Sequence, residues 1–351
     1  MIKKIVPMIA AVMLFALSAQ PLMAAGTVKV PTAWLGEQEA FLIWYAKEKG
    51  WDAEAGLDIQ MQLFDSGADI LNALPSGQWV FAGMGAVPAM LGNLRYNTSV
   101  IALGNDESAC NAVMVHPDNP IAKVRGWNKD YPDVLGSPET VKGKTFFVTT
   151  LSSAHYALHS WLEILGLSTG DIVIKNMEQE QALKKFQGNV RDGVALWAPY
   201  MFVAGDEGAL VAADVRAAKK GHPIVLVADT VYAEAHPDVT ASFLGVYLRA
   251  VDMFKATSPE RLVEEYQRFY KSFVGKEYET ALALKDLQGH PVFTLEEQLQ
   301  LFDEASGPSQ VQKWQADVAA FFRAIHRITD EEAHKVESGK YATDVYLKLI
   351  K

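Results

Sequence analysis

Residues 145–165 read TFFVTTLSSAHYALHSWLEIL, and their reading decides the fold. Thr145 to Val148 is an apolar, β-prone tetrad, and Ala154 to Leu165 places apolar residues at helical spacing. Between them, Thr149-Thr150-Leu151-Ser152-Ser153 stacks hydroxyls just where the helix begins. A strand running through a short polar loop into an amphipathic helix is half of a βαβ unit.

Downstream the unit continues. Asp171 to Lys175 reads as a strand, Gln179 to Phe186 as a helix and Gly193 to Leu196 as a strand, and Pro199 opens another helix. Upstream the same order has already occurred once. Val28 to Val30, Leu57 to Phe64, Trp79 to Ala82 and Ser99 to Leu103 read as strands, separated by helices over Gln38 to Lys49, Ala68 to Leu74 and Pro88 to Arg95. Gly77 and Gly188 each end a helix, and Pro88 and Pro199 each follow eleven residues later. Two lobes on one plan are expected, each with a parallel sheet.

His116 to Glu139, rich in Pro, Asp, Asn and Gly, separates the repeats and reads as a crossing followed by a surface insertion carrying Trp127 and Tyr131. A second crossing is expected near Ile224 to Asp229. Helical patterns over 237–254, 259–273, 295–304 and 311–325 follow, and packing them on the first lobe is the economical arrangement. The expected division is a signal peptide over 1–25, a first lobe of 26–113 plus 229–351, and a second lobe of 114–228, joined by a two-strand hinge.

Lys3 and Lys4, the apolar run Ile5 to Leu17 and the small residues up to Ala24-Ala25 have the form of a cleaved secretory signal, which places the mature chain in the periplasm. The formal net charge of -10 repels polyanions, so nucleic acid is not an expected partner. One cysteine, Cys110, excludes an intramolecular disulfide. No dense His or Cys cluster suggests a metal or a cofactor.

In open parallel sheets, ligands sit beyond the carboxyl ends of the strands, where helix N-termini offer free N–H groups and positive dipole ends. That rule selects six loops. Trp34 and Glu37 stand in the first, as a wall and a partner for a ligand cation, and Ser66 in the second, where a helix cap is the simpler role. Gly85 and Ala86 permit close backbone approach in the third, and Asn105, Asp106 and Glu107 crowd the fourth. Ser152, Ser153 and His155 form the fifth and strongest, read as an anion site. Trp197 ends a strand in the sixth and is placed to stack on a solute, with Tyr200 nearby.

Taken in order, these loops resemble the taurine, nitrate and aliphatic-sulfonate binding proteins of ABC importers. The resemblance rests on Phe64-Asp65-Ser66-Gly67, Ala73-Leu74 with Ser76-Gly77, Val141-Lys142-Gly143-Lys144, Ser152-Ser153-Ala154-His155-Tyr156, Trp197-Ala198-Pro199 and His236-Pro237, and covers Val28 to about Phe254. It implies a type II periplasmic-binding-protein-like fold. It further implies a monomeric receptor that captures a small anionic or zwitterionic solute between its lobes and delivers it to a membrane permease and its ATPase. Two departures bear on the solute, and both count against taurine specifically without weakening the case for small-solute capture. Gly85-Ala86-Val87-Pro88 replaces a Gly-Ser-Ser-Pro turn, and Asn111 stands where an acidic residue is expected. Nitrate and small aromatic or carboxylic acids remain open as ligands. So does an enzyme on the same scaffold, cleaving carbon–sulfur bonds with Cys110 and His155 or making pyrimidines.

Overall fold

The computed structural model describes residues 27–188 and 192–350, so the expected signal peptide lies outside the described residues. Among the described residues, ten strands form two five-stranded sheets. The first contains β1 (Val28–Trp34), β2 (Leu57–Leu63), β3 (Phe81–Gly85), β4 (Thr98–Asp106) and β10 (Pro223–Asp229), in the order β2-β1-β3-β10-β4. The second contains β5 (Asn111–Val115), β6 (Thr145–Val148), β7 (Val173–Asn176), β8 (Gly193–Trp197) and β9 (Leu210–Asp214), in the order β7-β6-β8-β5-β9.

The two orders are one plan. In each, the second strand of the lobe flanks the first, then the third, then a strand from the crossing, then the fourth. The internal repeat in the sequence is thus a repeat in space. The sheets, however, are mixed and not parallel as expected, because β10 runs antiparallel to β3 and β4, and β5 runs antiparallel to β8 and β9. A chain that leaves one lobe and later returns must insert its crossing strands against the direction of the βαβ strands. The crossing expected near Ile224 to Asp229 is a largely buried strand of the first sheet, and β5 already belongs to the second. The chain therefore changes sheet within residues 107–110 and 215–222. These passages run side by side: Glu107 N donates to His222 O at 2.8 Å, and His222 N to Ser108 Oγ at 2.8 Å.

Each lobe has its own core. Trp34, Phe41, Phe81, Phe243, Tyr247 and Tyr266 anchor the first, and Phe146, Leu158, Trp161 and Leu162 the second. The helices Pro237–Ala256, Pro259–Phe269 and Thr280–Gly289 pack on the first lobe, as their apolar faces require. Gln310–Ala324 departs from that expectation: its Val318, Ala319, Phe321 and Phe322 share a cluster with Ala86, Val87 and Met90 of the first lobe and Tyr156 and Ala157 of the second. The 116–139 insertion is more than decoration, since Ile121, Val134 and Leu135 enter the second core and Leu135 O accepts from Trp161 Nε1 at 2.8 Å. Among the described residues, no helix is long and apolar enough to cross a membrane.

Candidate solute site between the lobes

A small pocket of ≈ 20 Å³ lies at the base of the interlobe cleft, and its lining includes Glu37, Gly85, Glu107, Ser152, Ser153 and Trp197. Six of the eleven sequence-derived candidates thus converge. The same lining contains Gly67, Pro88 and Asn111. The pocket shares Leu35, Glu37 and Trp197 with a larger outer cleft of ≈ 380 Å³ whose wall carries Tyr200, Lys276 and Tyr278.

One end of the inner cavity is built from acceptors. Glu37 holds the N-cap position of the helix Gln38–Glu48, yet its side chain does not cap it and lines the cavity instead. Glu107, on the crossing after β4, receives hydrogen bonds from the side-chain amides of Asn105 and Asn111 and contacts the ring of His290. Asn111 donates through Nδ2 to Glu107, while its Oδ1 is buried without a partner. Burial, followed by the charges of Glu39 and Glu107, pushes the Glu37 carboxyl well above the usual range. Burial, then Glu107, raises Glu39 to about 8, and both its carboxylate oxygens are unpartnered.

The other end is the start of the Ser153–Ile164 helix. Ser152 caps it, accepting from His155 N at 3.4 Å and donating to Thr149 O at 2.6 Å. Leu151 takes a left-handed φ of 61° in this loop, a conformation that β-carbon sterics disfavour and that recurs at binding sites. Ser153 Oγ hydrogen-bonds His222 Nε2 at 2.6 Å, and burial lowers His222 to about 4, so this imidazole is neutral. Trp197 lines both cavities, and its backbone N–H donates to Gln179 Oε1 at 2.9 Å. Gly85 lets β3 pass close to this helix, because a Cβ there would lie under 3.0 Å from Ser153 Oγ.

Five candidates stand elsewhere. Trp34 is a core side chain, stacked on Tyr247 with its Nε1 donating to Thr32 Oγ1 at 2.7 Å, so it forms no wall. Ser66 is the N-cap of Gly67–Ala73, paired with Asp69, and only its neighbour Gly67 reaches the cavity. Ala86 packs into the interlobe apolar cluster. Asn105 is fully buried behind Glu107. His155 accepts from Leu151 N at 3.2 Å and packs edge-on against Phe321, and burial lowers it to about 4.

Cys110 and His155 keep separate company: the Cys110 thiol donates to Gly289 O at 3.1 Å, and burial pushes its pKa up, away from a nucleophile's. Glu107, Cys110 and His290 bring possible ligand atoms within 4.8 Å of one another. Each residue already has a protein partner, and no ion is assigned to them.

The family model described as NMT1-like matches residues 26–265. The chain belongs to the NMT1-like family. A Brachyspira hyodysenteriae protein that carries the name of an ABC transporter periplasmic binding protein is 27% identical over 248 residues, 70% of each chain. The taurine-binding periplasmic protein of Escherichia coli is 26% identical over 193 residues, 54% of this chain and 55% of that one, so this match spans about half of that protein. Among solved structures, the periplasmic aliphatic sulphonate binding protein of Escherichia coli superposes with a TM-score of 0.66 at 17% identity, covering 90% of this chain and 99% of that one. These likenesses show the two-lobed periplasmic-binding-protein-like fold that the sequence suggested.

Sequence reasoning missed Asp286, His290, Lys276 and Glu39. Asp286 and His290 lie beyond the matched residues and in no recognisable motif, and only the fold brings them to the back of Glu107.

Proposed function

We propose that this protein is the extracytoplasmic solute receptor of an ABC importer and that its solute is a small zwitterion with an ammonium group and a compact oxyanion, of the taurine class. Closure of the lobes around the solute would present the face read by the permease. The observation that carries the solute class is the grouping of Glu37, Glu107 and the unshared Asn111 Oδ1 at one end of a cavity whose lining contains neither Lys nor Arg. A bare anion such as nitrate would face two carboxyl groups with no charged donor. An ammonium that displaces the Glu37 proton to solvent meets three acceptors at once, and charge-assisted hydrogen bonds of this kind are the strong ones.

The oxyanion end rests on the open N–H groups and dipole of the Ser153–Ile164 helix, which can hold an anion without a basic side chain. Trp197 supplies the apolar wall along the short carbon linker. The relatives named for taurine and aliphatic sulfonates support this reading.

The test is a thermal-shift panel on protein refolded free of bound solute, comparing taurine, isethionate, an alkanesulfonate, nitrate, phosphate and small aromatic acids. A solute at a hundred times its Kd stabilises the fold by about 2.7 kcal/mol. Taurine-class zwitterions are expected to raise the melting temperature most. A shift with nitrate or with aromatic acids and none with zwitterions would reject the reading.

A further inference from the structure

Behind the acceptor end of the cavity lies a chain of buried groups that the family match does not reach. His290 is 2% exposed and stands between two carboxyl groups: its Nδ1 contacts Glu107, and its Nε2 lies 3.1 Å from Asp286 Oδ1. Asp286, 1% exposed, is fixed in turn by two phenols, accepting at Oδ2 from Tyr266 at 2.6 Å and Tyr270 at 3.0 Å. Glu37, Glu39, Glu107 and Asp286 are all within electrostatic reach of this ring, and Cys110 is its remaining titratable neighbour.

We infer that His290, held by Asp286 and the Tyr266–Tyr270 pair, is the positioning residue of the cation end: it fixes the Glu107 carboxylate from behind and supplies the positive charge that lets this patch receive an ammonium. This deepens the zwitterion reading and rests on it.

Four carboxyl groups gathered out of water cannot all stay ionised without a counter-charge, because each buried unpaired charge costs several kcal/mol. No lysine or arginine among the described residues hydrogen-bonds or pairs with any of the four. The ring at the back of Glu107 is the positive partner that the geometry offers, and it sits on the side away from the cavity. Burial opposes the charged imidazole, while the Glu107 and Asp286 carboxyls on its two sides favour it, and His290 stands well above its usual range. The ring also removes a degree of freedom. Glu107 is held by Asn105, Asn111 and His290, so its carboxylate meets the solute in one orientation, which lowers the entropy cost of binding. A histidine whose far nitrogen is fixed by a carboxylate has a set orientation and protonation state.

The distinguishing measurement is calorimetric binding of taurine and of isethionate, its hydroxyl analogue, from about pH 6 to about pH 9. It is made on the wild-type protein, His290→Gln and Asp286→Asn. His290→Gln is expected to lower taurine affinity about 10- to 100-fold near neutral pH, the usual loss when a charged hydrogen-bond partner is removed. It is also expected to move the taurine binding curve to higher pH, since without the His290 charge the carboxyl patch holds its protons more tightly and ammonium binding must expel them. Isethionate affinity should change by less than about threefold. Asp286→Asn should act in the same direction and less strongly. Equal losses for both solutes with an unmoved pH curve would overturn the proposal and leave His290 a structural residue. Wild-type protein that fails to prefer taurine over isethionate at every pH would instead overturn the zwitterion reading itself. A further readout needs neither solute nor variant: the ¹⁵N shifts of His290 in the empty protein should be those of an imidazolium near pH 8, and a neutral ring there refutes the proposal.

Discussion

Replacing Gly85 by alanine separates binding from folding. The new methyl would stand under 3.0 Å from Ser153 Oγ and 3.4 Å from His222 Nε2, where ordinary contact begins at 3.4 Å. Gly85 ends a strand of the first sheet, whereas Ser153 starts a helix of the second lobe, so the collision falls across the base of the cleft. Either the lobes part, or the Ser153 hydroxyl turns away and abandons His222, whose Nδ1 is already without a partner. Overpacking of one methyl costs about 1–3 kcal/mol, and the lost hydrogen bond about 0.5–1.5 kcal/mol. Because an opened cleft relieves the contact, the cost falls mainly on the closed, solute-bound form. Affinity should drop by roughly 10- to 1000-fold, with a smaller change in the melting temperature of the empty protein. Gly92→Ala is the control, since its methyl would meet Thr98 and Leu71 within the first lobe, outside the cavity lining, and should lower stability first. Titration calorimetry and thermal melts of both variants check this. A Gly85→Ala protein that binds the wild-type solute within threefold would refute the wedge and, with it, the placement of the site between β3 and the Ser153 helix.

Trp197→Ala should remove the shared wall of the inner and outer cavities and weaken binding at least about tenfold without unfolding the second lobe, read by calorimetry and near-ultraviolet dichroism. Lys276→Met should cost the hydrogen bond to Tyr200 at 2.7 Å and the contact with Glu180 at 3.2 Å, both of which tie the first lobe to the second. The expected result is faster solute release by stopped flow, with a loss of affinity of about three- to tenfold. Glu39 binds its proton more tightly in the folded chain than in the unfolded one, whose value is near 4.5, so its contribution to stability falls as pH rises from there to about 8. Glu39→Gln should therefore melt higher than wild type near pH 8 and lose that advantage near pH 5. Denaturant melts at the two values decide it. His155→Ala should lower stability by about 1–3 kcal/mol while sparing solute affinity, as expected for a packed residue and not a ligand contact.

What the sequence disclosed followed from local chemistry. Strand-to-helix loops announce themselves by composition, and Glu37, Gly85, Glu107, Ser152, Ser153 and Trp197 were all found at such loops and all line the cavity. The repeat marked by Gly77 with Pro88 and Gly188 with Pro199 likewise anticipated two sheets of one plan. Strand direction was beyond reach, because the apolar run of β10 looks the same whether it is paired parallel or antiparallel. Trp34 misled because a tryptophan near a strand end suits a wall or a core equally, and only the stacking on Tyr247 decides. Asp286 and His290 were illegible since their role depends on a contact between residues 183 positions apart. The helix Gln310–Ala324 failed to announce its bridging place for the same reason: amphipathicity says that a face is buried, not against what.

The most direct test is a calorimetric comparison of taurine and isethionate on solute-free protein near pH 7.5. The two differ only in an ammonium against a hydroxyl, the group proposed to meet Glu37, Glu107 and Asn111. Binding of taurine at least tenfold tighter, with the preference abolished in Glu107→Gln, is the expected result. Equal affinities, or a preference for isethionate, would contradict the account.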